Sequence, residues 1–266
     1  MKRIFKNLIK KIANKLGYEI ITFKNYNQLA LNKKDYKSNT YAKNNLLDNF
    51  FTILINLNYY PETIYDIGAN KGTWTKECLK YFPDATFYLF EPQINLKTDL
   101  DLLFKKHKNI HLFSVGVGNV NDELNFTMHD RDDSCTFSFS EQEAQNRGFK
   151  QIKAPIVKLE SFVKENNLKT PSILKIDAEG LDLEVLEGAN NLLNNVEIIM
   201  VEVGIMNGRI KNSAIIMSNY LDEKGFKLFD ITDINRPFSN KVLWLCEFVF
   251  IKKGGKFDKN YSVENI

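Results

Sequence analysis

The chain has 266 residues, of which 44% are hydrophobic, enough for a sizeable buried core and too many for a disordered polymer. Its 36 basic and 33 acidic side chains leave a net charge of +3, so no overall basic excess points to nucleic acid as a partner. Cys78, Cys135 and Cys246 are odd in number, widely separated and without paired spacing, which argues against a disulfide framework or a thiolate zinc site and suits a reducing cytoplasm.

At the start of the chain Ile4, Phe5, Leu8, Ile9, Ile12 and Leu16 recur at helical spacing, with Lys2, Arg3, Lys6, Lys10, Lys11 and Lys15 on the other face. Lysines interrupt every apolar run, unlike a signal peptide or a membrane span. Such a basic amphipathic helix packs on its own domain, the simpler reading, or rests on an anionic membrane surface. The expected location is therefore cytoplasmic, with a peripheral contact at the inner membrane through residues 1–16 as the alternative.

Residues 24–42 are rich in Asn, Lys and Tyr and show no period, after which NNLLDNFFTILINLN predicts a helix with Leu46, Leu47, Phe50, Phe51 and Leu54 inward. Residues 1–58 are expected to be a helical extension packing on or preceding a domain that spans 59–266.

From residue 62 short β-branched or aromatic runs, TIYDI, TFYLFE, IHLFSV, SILKID and EIIMVEV, alternate with helical segments such as TWTKECLKYF and NLKTDLDLLFKKH. The alternation predicts an α/β fold, a mostly parallel sheet with helices on both faces. YLDEKGFKLFDIT and LWLCEFVFIKK suit a terminal antiparallel pair closing one edge, and residues 254–266 read as a polar tail. Residues 129–149 are polar, aperiodic and too long for an ordinary connection, as expected of a substrate or lid loop.

The strand-to-helix turn in TIYDIGANKGTWT puts Asp66 where the dinucleotide-binding pattern has its first glycine. A carboxylate there would repel a pyrophosphate, which disfavours a nicotinamide oxidoreductase; a cationic or zwitterionic ligand fits better. S-adenosylmethionine, with a sulfonium and an α-amino group, has that character, and Gly68 and Gly72 would let its methionine arm pass the backbone. Glu91 follows the turn by about 20 residues, the spacing of an acidic side chain that holds ribose hydroxyls. ILKIDAEGLDLEVLEGA then delivers Lys175, Asp177 and Glu179 to the carboxyl edge of the sheet, where open α/β sheets bind ligands.

DIGANKGTWT, FEP and LKIDAEGLDLEVLEGA together resemble the signature blocks of the FkbM-type methyltransferases, a family of S-adenosylmethionine-dependent O-methyltransferases. The resemblance implies the class I methyltransferase fold, Rossmann-like, with a seven-stranded sheet whose last strand is reversed, and methylation of a hydroxyl on a sugar, glycan precursor or polyketide-like molecule. It implies a cofactor side made of Asp66, Gly68, Ala69, Asn70, Gly72, Thr73, Glu91, Pro92, Val115, Gly116 and Val117. Asp177, Glu179 and Gly180 match the narrower block. Residues 1–50 match nothing specific.

Methyl transfer to a hydroxyl is an in-line displacement helped by a general base or by a metal that acidifies the alcohol. Asp177 is the first choice of base, with Glu179 beside it and Glu202 arriving from IIMVEVG; alternatively Asp177 and Glu202 hold a divalent cation such as magnesium through oxygen ligands. His129 is a further candidate base, and a solvated loop histidine is the plainer reading. Lys175, Arg131, Asp132 and Ser134 are candidates for gripping a hydroxylated acceptor, with Phe137 and Phe139 covering it. His107 and His111 receive no role, and Trp74 reads as packing on the first helix.

The leading expectation is an O-methyltransferase of a bacterial sugar, nucleotide-linked or part of a capsule or lipopolysaccharide precursor. The alternatives are methylation of a nonsugar metabolite and a noncatalytic adenosyl-ligand-binding scaffold in a glycan-assembly complex. The sequence leaves a homodimer open.

Overall fold

The computed structural model describes residues 45–129, 135–206 and 211–259. The basic amphipathic segment 1–16 and the aperiodic segment 24–42 lie outside the described residues. Helix α1 (Leu46–Asn56) starts at Asn45, whose side chain accepts the backbone N–H of Asp48, and it turns Phe50, Phe51 and Leu54 into the core. Leu46 and Leu47, expected inward, are half-buried at its first turn.

Strand β1 (Thr63–Ile67), helix α2 (Thr73–Leu79), β2 (Thr86–Phe90), α3 (Ile94–Phe104) and β3 (Ile110–Phe113) alternate as the sequence predicts. The second half adds α5 (Leu159–Glu165), β7 (Ile173–Ile176), α6 (Asp182–Ala189), β8 (Ile198–Gly204), α7 (Ala214–Glu223), β9 (Phe226–Asn235) and β10 (Leu245–Lys252). Between the halves come β4 (Gly116–Gly118), β5 (Asp122–Met128), α4 (Glu141–Arg147) and β6 (Lys150–Lys158).

Seven strands form one sheet in the order β3-β2-β1-β7-β8-β10-β9. All neighbours from β3 to β8 are parallel, whereas β10 runs antiparallel to both β8 and β9. This is the class I methyltransferase order, mostly parallel with the last strand reversed. Every residue of β1 and β7 is buried, as expected when helices cover both faces. On one face Tyr65, Ile67, Leu174, Ile176, Ile199 and Val201 pack with α5, α6 and α7; on the other Ile64, Leu89, Ile173, Ile198 and Met200 pack with α1, α2 and α3.

Three features depart from the sequence expectation. A separate three-stranded sheet, β4-β6-β5, was not anticipated, because DELNFTM and KQIKAPIVK carry too many polar residues to read as core strands. The polar stretch expected to be loop throughout contains α4, started by a capping box in which Ser140 and Glu143 satisfy each other's backbone N–H groups and ended at Gly148. The polar tail begins with a turn of helix, α8 (Lys256–Lys259), whose Phe257 is buried against Tyr59 and Phe229.

The small sheet is joined to the large one through α6. A Cβ on Gly188 would lie 1.9 Å from the Gly118 carbonyl oxygen, so the helix and β4 meet backbone to backbone. Together the two sheets frame a cavity at the carboxyl edge of β1, β2, β7 and β8.

Candidate active site

The cavity has a volume of about 980 Å³. Its first end is built by the turn after β1. The backbone N–H of Asn70 donates to Glu91 Oε2 at 2.8 Å and that of Gln93 to Oε1 at 2.9 Å, fixing a buried carboxylate at the tip of β2. Burial, above all, raises the Glu91 pKa, while those amide donors pull it back down. Gly68, Ala69, Asn70, Thr73, Glu91 and Pro92 line this end, with Gly116 and Val117 from β4 on the far side.

The glycines of the turn have packing reasons of their own. Gly68 has φ +75°, and a Cβ there would stand 1.9 Å from the carbonyl oxygen of Asp177, where the β1 and β7 turns cross. Gly72 has φ +71° and backs onto Phe104 and Leu100 of α3. Neither Gly72 nor Val115 is in the cavity wall; Val115 packs against the large core cluster. Trp74 packs edge-on against Phe51 of α1, as expected, and also borders the cavity, its buried Nε1 lacking a hydrogen-bond partner among the described residues.

Asp66 does not face the cavity. It is fully buried, with Oδ1 3.1 Å from Lys175 Nζ and Oδ2 accepting the Thr75 hydroxyl at 2.6 Å. Asp66 and Lys175 are direct neighbours in the β1–β7 register, so the cation this carboxylate meets is a lysine of the next strand, not a ligand. Lys175, expected to grip substrate, is 4% exposed and held between Asp66 and Asp177, the latter at 3.5 Å. Burial alone would lower its pKa, but Asp66, Asp177 and Glu247 hold the ammonium well above its ordinary value. It borders the cavity as a fixed positive charge.

The second end is acidic. Asp177, Glu179 and Glu202 all line it, as expected, and the side chain of Asp177 is 38% exposed. They are joined by residues the sequence did not single out. Glu202 lies directly opposite Glu247 in the β8–β10 register, and Glu247 directly opposite Asp233 in β10–β9, which sets three carboxylates in a row on one face of the sheet. The Thr232 hydroxyl donates to Glu247 Oε2. Burial first, then Asp177, Asp182 and Glu179, push the Glu202 carboxyl up to about 9; burial also pushes Glu247 up to about 7. Asp182, buried below the row, accepts N–H groups of Ala178 and Gly180 at the head of α6 and is raised by burial to about 6.

Glu179 has φ +48°, and its carbonyl accepts the hydroxyls of Thr136 and Ser138, which ties the β7–α6 turn to the wall formed by the small sheet. The described residues contain no group of three or more His, Cys, Asp or Glu side chains placed to hold a metal, so Asp177 and Glu202 find no ligand set; the cation beside Asp177 is the Lys175 ammonium. His129 is neither in the cavity wall nor a solvated loop residue. Its ring packs on Phe149 at 4.0 Å and near Phe139, and Nε2 is buried without a hydrogen-bond partner among the described residues. Phe137 reaches the cavity; Phe139 does not. Arg131, Asp132 and Ser134 lie outside the described residues.

The model of the methyltransferase FkbM domain matches residues 66–228. The chain belongs to the FkbM methyltransferase family. A search of curated proteins gave no match. Among solved structures, the methyltransferase FkbM from Methylobacillus flagellatus KT is similar at 12% identity and a TM-score of 0.48. That likeness covers 70% of this chain and 43% of the Methylobacillus chain, so this chain spans less than half of that relative's length. The 1,6-didemethyltoxoflavin-N1-methyltransferase of Burkholderia thailandensis, solved with S-adenosylhomocysteine, is 10% identical at a TM-score of 0.40 over 88% of this chain and 92% of its own. An rRNA methylase from Streptococcus thermophilus is 11% identical at a TM-score of 0.46, over 80% and 99%.

Proposed function

We propose that this FkbM methyltransferase uses S-adenosylmethionine to methylate a hydroxyl of a sugar, nucleotide-linked or part of a surface-glycan precursor. The observation that carries the cofactor half is Glu91. Both its oxygens accept backbone amides of the adjoining turns and the Gln93 side chain bonds the carboxylate as well, which fixes it at the wall of the cavity as an acceptor for a ribose hydroxyl. Gly68, Ala69 and Asn70 supply backbone beside it, and Trp74 Nε1, without a partner among the described residues, is a donor within the same cavity. A volume of about 980 Å³ lies at the upper limit of small-molecule sites, about 300–1,000 Å³, as suits a cavity shared by cofactor and acceptor.

S-adenosylmethionine, when bound, supplies an electrophilic methyl group. The chain's own part is to hold the acceptor hydroxyl in line with it and to receive the hydroxyl proton as the new bond forms. Asp177, Glu179 and Glu202 line the end where that proton is lost. Lys175 holds Asp177 from one side at 3.5 Å, and the exposed part of that side chain is offered to acceptor hydroxyls. The apolar wall at Phe126, Phe137 and Leu181 favours a second reading, a nonsugar metabolite whose hydroxyl enters the same acidic end.

Calorimetric titration with S-adenosylhomocysteine and with NAD tests the cofactor. Binding of the first and not the second is expected; NAD binding alone would sink the methyltransferase reading. Mass spectrometry of sugar and polyketide alcohol panels incubated with S-adenosylmethionine then separates the acceptors. The proposed place of action is the cytoplasm, with a peripheral contact at the inner membrane through residues 1–16 as the alternative. Cell fractionation with and without those residues tests that placement, and sedimentation tests a homodimer.

A further inference from the structure

Glu247 is one of the carboxylates in the cavity wall that neither the sequence reading nor the family blocks draw attention to. It sits in LCEFVFIK, where every neighbour points to core packing. Its position across the strand from Glu202 gives it a different character. Residues directly opposite in an antiparallel pair share a face, with Cβ atoms about 4.5–5.5 Å apart. Two carboxylates at that separation cannot both ionise cheaply, and such pairs hold one proton between them.

We infer that Glu247 and Glu202 form one proton-sharing carboxyl pair, and that its ionised member is the group that accepts the acceptor's hydroxyl proton. The inference rests on the methyl-transfer reading above. In the step, the hydroxyl oxygen forms a bond to the methyl carbon while the carbon–sulfur bond breaks and its electron pair stays on sulfur. The O–H bond breaks and its proton passes to the ionised carboxylate of the pair. The positive charge of the sulfonium and the negative charge of the carboxylate are both discharged, so the step balances without a further reactant.

The surroundings fit a pair that keeps one proton. From β7 the pair faces Lys175 and Asp177; from the turn and head of α6, Glu179 and Asp182; from β9, Asp233 and the Thr232 hydroxyl; and on β10 itself the Cys246 thiol. The one cation among these, Lys175, is already shared by Asp66 and Asp177. Carboxylates outnumber it, so a proton is the cheapest remaining counter-charge. Burial raises the proton affinity of both members, with Asp177, Asp182 and Glu179 adding to it at Glu202 and Asp177 and Asp233 at Glu247, while the strand register sets the two side by side. Thr232 donates to Glu247, which favours the ionised form on that side and leaves the proton mainly on Glu202.

The test uses the full chain labelled with carbon-13 at the glutamate side-chain carboxyl carbon. Two coupled titration steps are expected from the pair, and in Glu202→Gln or Glu247→Gln the remaining member should titrate once, at lower pH. An unchanged titration of the remaining member overturns the shared proton, whatever the chain's activity. On a hydroxyl acceptor found in the panel, Glu247→Gln should remove one step from the pH profile of kcat. The double variant should lose about 10²-fold or more in kcat, the range of general-base catalysis, with unchanged S-adenosylhomocysteine affinity. A profile that keeps its shape in Glu247→Gln overturns the catalytic part. A wild-type chain that binds no S-adenosylhomocysteine or methylates nothing overturns the underlying reading and, with it, the pair's catalytic part; the carboxyl titration still decides whether the proton is shared.

Discussion

At the scale of single residues, the turn after β1 combines two demands. The sequence makes the Asp in DIGANKG a partner for a ligand's positive charge, whereas the structure buries it away from the cavity against a cation of the chain itself. Its partner, Lys175, is 109 residues away, and only the β1–β7 register brings them together. No spacing rule along the chain could have named it. Because both groups are buried, removing one charge strands the other. Lys175→Met is expected to cost about 3–5 kcal/mol in urea unfolding, and the double variant Asp66→Asn/Lys175→Met distinctly less. A loss below about 1 kcal/mol in the single variant would show that the pair does not hold the two strands. Glu91 and Asp177, by contrast, line the cavity where the sequence puts them, because strand ends announce themselves by the break in apolar run that follows them.

Single residues also set the pH response. Glu202 and Glu247, raised by burial to about 9 and about 7, keep protons in the folded chain that the unfolded chain, titrating near about 4.3, has released. The folded state therefore binds more protons above that ordinary value, and stability falls as pH rises from about 5 through 9. Urea midpoints of the ligand-free chain at pH 5, 7 and 9 should decline in that order. Glu202→Gln should flatten the decline; a midpoint that rises toward pH 9 would contradict the burial of these groups.

Among the elements, those with both faces buried were legible and those with one were not. TIYDI and SILKI are nearly continuous apolar runs, the mark of a central parallel strand. Strand β5 buries only Phe126 and Thr127, and β6 buries only Ala154 and Ile156, either side of Pro155, which reads as a breaker. Helix α4 has one buried residue, Ala144, so it owes its existence to its caps rather than to an apolar stripe. Ser140→Ala should therefore cost about 1 kcal/mol locally, and amide hydrogen exchange at residues 141–147 should speed up while β1 and β7 stay protected. Equal acceleration everywhere would mean that α4 unfolds only with the whole domain. Glu247 escaped notice for a related reason: a row of charges across three strands is invisible in any one of them.

Over the whole molecule, the order of the large sheet could be expected from the alternation of strands and helices together with the family resemblance, and the small sheet is what the alternation concealed. Its attachment is close. Gly188→Ala would push a methyl group onto the Gly118 carbonyl, so a loss above about 2 kcal/mol and weaker S-adenosylhomocysteine binding are expected together, the second because β4 forms the far wall at Gly116 and Val117. A variant as stable as the parent would show that α6 and β4 can slide apart at little cost.

The row of carboxylates at Glu202, Glu247 and Asp233 works as a charge filter on what may lie deepest in the cavity. On the proposed reading, a sugar tethered to a diphosphate is expected to enter sugar first, with its anionic leash toward solvent, so that the pocket would select on the tip of the acceptor rather than on the tether. Acceptors that share a terminal sugar but differ in what they hang from should then be methylated alike, at low and at high salt.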